Sequence, residues 1–331
     1  MRISVVVCGY TEERWDEMRA AIASARNQTR APDEIILVID HNTPLFARAR
    51  TELPDVVVVE NSAVRGVSGA RNTGIACAQS ELVAFLDDDA VADRLWLERL
   101  CAPFVDPSVL GTGGALEPAW GAPRPAWFPD EFLWVVGCTY RGLPEKTAAV
   151  RNPIGANFCM RRTIFETVGG FRTQLGRQGK VAAGCEETEL SIRARQHWAD
   201  GKFVYEPGAR ATHHVPAWRV TWAYFRGRCY AEGLSKARLA RMTGPSDGLA
   251  AERTYVRRTL PAGIARGFLS GVKRRDSASL ARAGAIVAGL AFTTWGYLVG
   301  SIRERAASRS AERHGAVPII PRPRTTAEVV Y

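Results

Sequence analysis

The sequence predicts an α/β fold: a mostly parallel central sheet flanked by helices, with a C-terminal helical extension. Two observations carry the sheet. Over the first hundred residues, short runs rich in Val, Ile and Leu alternate with stretches of helical spacing. That is the pattern of strands covered on both faces by the helices between them. Small and charged residues gather directly after those runs, where open parallel sheets place their ligands. A third observation marks the extension: residues 283–300 hold no charged side chain and are flanked by Arg282 and Arg303.

ISVVVCGY, from Ile3, is the first strand. Its apolar run is short and lacks a cleavage-site pattern, so it reads as a strand and not as a leader. From Glu13 to Asn27, helical spacing puts Trp15, Met18, Ala21, Ile22 and Ala25 on one side. EIILVID (34–40) is the second strand, LFARARTEL (45–53) a helix and DVVVVEN (55–61) the third strand. VSGARNTGIACAQ (67–79) is a helix, and ELVAFLDDD a fourth strand ending in acid. From Ala90 the chain is expected to turn into a helix that continues through 93–101. Tyr10, Asp40, Arg65 and Asp87–Asp89 then fall at strand ends around one crevice.

Residues 111–153 change character. They are rich in Gly, Pro and Trp, a composition that suits neither a regular core helix nor a central strand. The expectation is an irregular wall. Its Trp120, Trp127, Phe128 and Trp134 are either rings that stack on an acceptor or filler of a Pro-rich lobe. Structured elements return over 154–215, with a helix near 186–198 and strands at KFVYEP and ARATHHV. A further helix is expected around 218–242.

The seven cysteines are scattered and form no CxxC pair, so neither a zinc site nor a disulfide framework is indicated, and a cytoplasmic setting is expected. The net charge of +10 is unevenly placed: residues 251–331 hold 14 Lys/Arg against 5 Asp/Glu. Such a tail suits an anionic membrane surface, or is a solvated face. With no recognisable module, nucleic acid is not an expected partner. A bilayer span takes about 20 apolar residues, and 283–300 is borderline and diluted by Gly and Thr. RGFLSGVKRR, just before it, has the make-up of an interfacial amphipathic segment. Membrane association, at the cytoplasmic face, and a helix packed on the globular part both stay open. The last residues, 316–331, read as a flexible tail.

Three adjacent carboxylates, Asp87, Asp88 and Asp89, repel one another unless a cation sits among them. Oxygen ligands suit Mg²⁺ or Mn²⁺, which often hold a phosphate as a further ligand. A helix N-terminus decorated with acids is the plainer reading. Beside the triplet lies RGVSGARNTG (65–74), whose glycines permit close backbone approach and whose Arg65 and Arg71 supply charge for phosphate or for the acids. In CEETEL, Glu186 and Glu189 share a helix face and Glu187 projects elsewhere. In THHVP, His213 and His214 point to opposite sides of a strand, so at most one faces the crevice. In GANF, Gly155 allows approach and Asn157 can both donate and accept hydrogen bonds to a donor sugar.

Taken in order, SVVVCGYTEERW, EIILVID, RGVSGARNTG, VAFLDDDA, GANFCMRR–GGF and CEETELSIRARQ resemble the family 2 glycosyltransferases of the GT-A fold. The resemblance covers roughly residues 3–230. It implies a catalytic domain over 1–230, with a nucleotide-binding half (1–110) and an acceptor-binding half (111–230), followed by a helical, basic extension over 231–315. It implies Asp87 and Asp89 as the acids of a strand-end Asp-x-Asp motif, with Asp89 the direct ligand of Mn²⁺ or Mg²⁺ and His213 completing the coordination. Tyr10, Glu12, Asp40, Arg71, Asp88, Asn157 and Glu186 are implied as contacts to a nucleotide-sugar. Glu187 takes the place of the general base, a Glu where Asp is commoner. The chain departs from the family at Asp40-His41-Asn42, where many members carry paired acids followed by Gly-Ser.

The implied activity is metal-dependent transfer of a sugar, with inversion, from a nucleotide-diphosphate sugar of UDP type to an acceptor hydroxyl on a glycan, a lipid-linked sugar or a small molecule. A polyprenyl-phosphate sugar synthase, a nucleotidyltransferase and a non-catalytic sugar-nucleotide-binding scaffold remain as alternatives.

Overall fold

β1 (Ile3–Gly9) is apolar on both faces and lies between two parallel neighbours. The computed structural model describes residues 1–177, 183–244, 248 and 250–313. The expected tail at 316–331 lies outside them. α1 (Trp15–Arg26) buries Trp15, Met18, Ala21, Ile22 and Ala25, the side its sequence spacing marks. β2 (Glu34–Ile39), α2 (Thr43–Glu52), β3 (Val57–Glu60), α3 (Val67–Cys77) and β4 (Leu82–Asp87) follow. Asn42 caps α2 by accepting from the Leu45 N–H at 3.1 Å, and Pro44 sits in the first turn. β1 to β4 are parallel, with Gly9 opposite Ile39 and Cys8 opposite Asp87. Their carboxyl ends therefore share one edge.

After Asp89 the chain does not enter a helix. Ala90–Ala92 is a short strand, β5, and α4 begins only at Trp96 (Trp96–Cys101). The reason is pairing: β5 runs antiparallel to a later strand, β9 (Lys202–Val215), with Ala90 opposite His213.

The region after α4 also differs from expectation. Val109–Trp120 is β6, a 12-residue strand inside the sheet. It runs antiparallel to β8 (Asn157–Arg161) and parallel to β9, with irregularities at Val109/Gly111 and Gly114/Ala115. Its glycines are what the packing demands. A Cβ on Gly111 would stand 2.8 Å from the Phe203 ring, and one on Gly114 would stand 2.0 Å from the Ala209 carbonyl. β7 (Ala148–Val150) pairs with β9. The sheet order is β3-β2-β1-β4-β8-β6-β9-β5, parallel in its first half and mixed in its second.

α5 (Arg162–Val168) and α6 (Glu186–His197) cover one face with α3. α7 (Trp222–Thr243), capped by Thr221, runs unbroken through residue 230. It is followed by α8 (Ala250–Thr254), a π-helical turn at Tyr255–Thr259, α9 (Leu260–Arg274) and α10 (Ser277–Arg313). These helices share a separate apolar core with the segment after β6, built from Phe128, Phe132, Val136, Phe225, Leu260 and Ile286. Trp127 and Phe128 stack on each other there and meet Phe225 edge-on. Those two rings are therefore filler of the lobe, and Trp120 packs edge-on against Phe128. Trp134 alone of the expected aromatic wall reaches the cavity described next.

Candidate active site

β4 stays apolar through Leu86 and reaches the sheet edge at Asp87. The turn at Asp88 and Asp89 is tied to β9 by the His214 N–H, which donates to the Asp89 carbonyl at 2.8 Å. That register sets His213 Nε2 3.2 Å from Asp89 Oδ1. His214 points the other way, to Glu17 at 3.3 Å. Ligand atoms of Asp87, Asp89 and His213 lie within 4.8 Å of one another. Two carboxylate oxygens and an imidazole nitrogen suit an ion such as Mn²⁺. Asp88 Oδ2 is a buried oxygen with no hydrogen-bond partner among the described residues. The donor set fits a divalent cation.

Protein cations balance the three acids. Arg14 Nη1 donates to Asp88 Oδ1 at 2.9 Å and lies 3.0 Å from Asp89 Oδ2. Burial and the neighbouring Asp89 push Asp88 up to about 7, against the pull of Arg14. Burial also raises Asp87. Asp89 goes the other way: burial opposes its charge, but His213, Arg14 and Arg219 hold it below the usual carboxylate range. Burial disfavours charge on His213 too, yet Asp89 raises it to about 10. The cluster thus carries charges of both signs, with Asp88, Asp89 and His213 buried.

Arg71, on α3, lies buried between the strand-end acids and α6. It donates to Glu186 Oε1 at 2.8 Å and to the Gly155 carbonyl at 2.5 Å, and stands 3.3 Å from Asp87 Oδ1. Its bonds are committed to the protein, so it acts as a strut joining three elements. Asp40, at the end of β2, accepts from the Gly66 N–H at 2.9 Å and from Asn61 Nδ2 at 2.6 Å, beside His41 Nδ1 at 2.9 Å. It shapes the glycine-rich turn. Gly66 has φ +123°, and a Cβ on Gly69 would meet the Val64 carbonyl at 1.8 Å. Only glycine fits these two positions.

A cavity of about 990 Å³ takes in Tyr10, Asp40, Arg71 and Asp87–Asp89 from the strand ends. Its wall continues through Gly155, Glu186 and Glu187 to Tyr255, Thr293 and Tyr297 of the C-terminal helices. Among the described residues Glu187 forms no ion pair. Burial, then Glu186, push it up to about 8, against a hydrogen bond from its own backbone N–H and the charges of Arg71 and Lys236. A Cβ on Gly155 would stand 3.6 Å from Glu187 Oε2, so the smallest residue lies directly beside this acid.

Two expected contacts lie elsewhere. Asn157 is fully buried: it accepts from Trp96 Nε1 at 2.7 Å and donates to the Ala115 and Ala209 carbonyls at 2.9 and 3.0 Å. It stitches three segments of the core, and its burial keeps it from a sugar. Glu12 is exposed in the turn before α1, outside the cavity wall.

Among the cavity residues that escape sequence reasoning are Arg14, Arg219 and Lys236. Each stands in or beside a helix whose neighbours look like ordinary surface, and nothing in their spacing points to the acids. Arg219 is distinctive. It is buried, its Nε has no hydrogen-bond partner among the described residues, and Nη2 lies 3.9 Å from Asp89 Oδ2. Burial pulls its pKa down. This guanidinium stands ready for an anion.

Comparison with known proteins adds the family. Residues 4–169 match the model of glycosyl transferase family 2. The chain is similar to a glucosyl-dolichyl phosphate glucuronosyltransferase of Haloferax volcanii, 34% identical over 71% of this chain and 76% of the relative. Its fold is similar to a mannosyltransferase of Pyrobaculum calidifontis in complex with GDP-Man and Mn²⁺, with TM-score 0.54 and 17% identity over 89% of this chain and 87% of the other. It is also similar to GalNAc-T7 with UDP, GalNAc and Mn²⁺, with TM-score 0.50 and 19% identity over 71% of this chain and 48% of the other. The motifs, the GT-A architecture and these matches agree, and the chain belongs to the family 2 glycosyltransferases.

Proposed function

We propose that the chain moves a sugar from a nucleoside-diphosphate sugar to an acceptor hydroxyl, with inversion, using a divalent cation. The observation that carries this reading is one cavity that holds both the Asp87, Asp89 and His213 ligand set and the carboxylate of Glu187, raised to about 8 by burial and by Glu186. Asp87, Asp89 and His213 would hold Mn²⁺ or Mg²⁺, which when bound supplies positive charge for the departing diphosphate. Arg14 and Arg219 add fixed positive charge beside those acids. Glu187 takes the proton of the attacking hydroxyl, for which a carboxylate raised toward neutral pH is suited. The donor is of UDP type in this reading, with GDP as the competitor, since the two structural neighbours carry UDP and GDP-Man.

A lipid-linked sugar is the acceptor favoured here, because the Haloferax relative is named for glucosyl-dolichyl phosphate. The reaction is then set at the cytoplasmic face of a membrane. The test is a panel of nucleotide-sugars with Mn²⁺, reading released nucleoside diphosphate with and without chelator. Release with one donor, lost on chelation and in Glu187→Gln, supports the reading. Undiminished release in Glu187→Gln points to a phosphate acceptor, as in a polyprenyl-phosphate sugar synthase, which needs little base. Release of pyrophosphate instead overturns the transfer class.

A further inference from the structure

We propose that α9 and α10 form a one-sided docking face for an anionic lipid bilayer, with α10 lying along the membrane surface and not crossing it. The cue is which side of α10 is exposed. Leu280, Gly284, Val287, Ala291, Trp295, Leu298 and Ile302 are all exposed. Their spacing of three and four places them on one stripe of the helix. At 1.5 Å per residue the stripe is roughly 33 Å long. Every side chain on it is apolar or absent, and Trp295 and Ile302 are 61% and 68% exposed. Exposed apolar area of this extent marks an interaction surface.

α9 continues the same character. Phe268, Leu269 and Val272 are each more than half exposed. Gly271 fits under Leu280 and Gly267 under Ala283, so the two helices form a hairpin. Basic side chains border the apolar area: Arg257 and Arg258 before α9, Lys273, Arg274 and Arg275 at the hairpin turn, and Arg303 and Arg305 at the far end, all exposed. Apolar residues bordered by Lys and Arg are the complement of an anionic bilayer surface. A water-soluble partner of like charge gains nothing from that border.

By length and composition α10 could cross a bilayer. Its packing argues against that. Its other side is closed against α7, where a Cβ on Gly233 would stand 2.1 Å from the Thr293 carbonyl and one on Gly296 would stand 2.1 Å from the Tyr230 carbonyl. No lipid enters between them. Farther along, Glu304 pairs with Arg238 and Arg241 of α7 at 3.1 Å each. A bilayer around α10 would have to engulf α7, which carries Arg228, Glu232 and Lys236 in an ionic group with Arg151 and Glu252. Charges inside hydrocarbon are costly. One apolar stripe turned outward satisfies both sides of the helix.

The test uses the full chain with phosphatidylcholine vesicles, with or without phosphatidylglycerol, in a flotation assay without donor or metal. Its result is therefore independent of the transferase reading. The chain is expected to float with anionic vesicles and to be stripped from them by alkaline carbonate. Trp295→Ser with Leu298→Ser should abolish flotation while circular dichroism and Tm stay unchanged. Lys273→Gln with Arg274→Gln should weaken it by roughly thirtyfold. Three results overturn the proposal: no flotation with anionic vesicles, bound protein that resists carbonate, or flotation indifferent to the Trp295 and Leu298 substitutions. A dimer in solution that these substitutions dissociate, with no vesicle binding, assigns the face to a second copy and also overturns it.

Discussion

The imidazole of His213 lies 3.2 Å from the carboxylate of Asp89, brought there by the pairing of β5 with β9. Two motifs far apart in the chain thereby become one donor set with Asp87. Replacing Asp89 by Asn keeps the shape and removes the charge. Turnover should fall by more than about a hundredfold, and Mn²⁺ affinity, read by electron paramagnetic resonance, should fall with it. Unchanged turnover would remove the acid cluster from the chemistry.

Glu187 predicts a pH profile. Only its carboxylate form can accept a proton, and its pKa is raised to about 8 by burial and by Glu186. The profile of kcat/KM should therefore climb with pH and level off above about 8. Glu187→Gln should cost roughly a hundredfold to ten-thousandfold and flatten the climb. A profile that keeps its shape in the variant would assign the titration to another group.

Arg219 separates stability from binding. A buried guanidinium whose Nε has no partner among the described residues burdens the fold. Arg219→Met should leave Tm unchanged or raise it, while the Kd for nucleoside diphosphate rises by about tenfold or more. A lower Tm with an unchanged Kd would make Arg219 a structural residue.

Arg71 should behave in the opposite way. Removing it strands the buried Glu186 beside the half-exposed Asp87 and frees the Gly155 carbonyl. Arg71→Ala should cost about 3–5 kcal/mol in unfolding free energy, read by denaturant titration. A loss below 1 kcal/mol, by the same principle, would mean the strut is dispensable.

Much of the first half of the fold is legible in the sequence because local pattern and burial agree there. The apolar positions of α1 are the buried ones, and the runs at β1, β2 and β4 are strands, with acids at the ends of β2 and β4. β6 was illegible because its glycines look like breakers. They are there to admit Phe203, Ala209 and Pro153 against the backbone, a demand set by segments that come much later. β5 was illegible for the same reason, since three residues have no pattern of their own. Asn157 shows a further limit: residue type predicts capacity for hydrogen bonds, and only the fold decides who receives them. Arg14 and Arg219 reach the acids through turns and helix ends that carry no sequence signature.

Calorimetric titration of UDP and of GDP, with Mn²⁺ and with chelator, tests the central claim most directly. Binding of one nucleotide that requires Mn²⁺ and disappears in Asp89→Asn is the predicted result. Equal binding in chelator, or binding indifferent to Asp89→Asn, would contradict a donor site built on Asp87, Asp89 and His213.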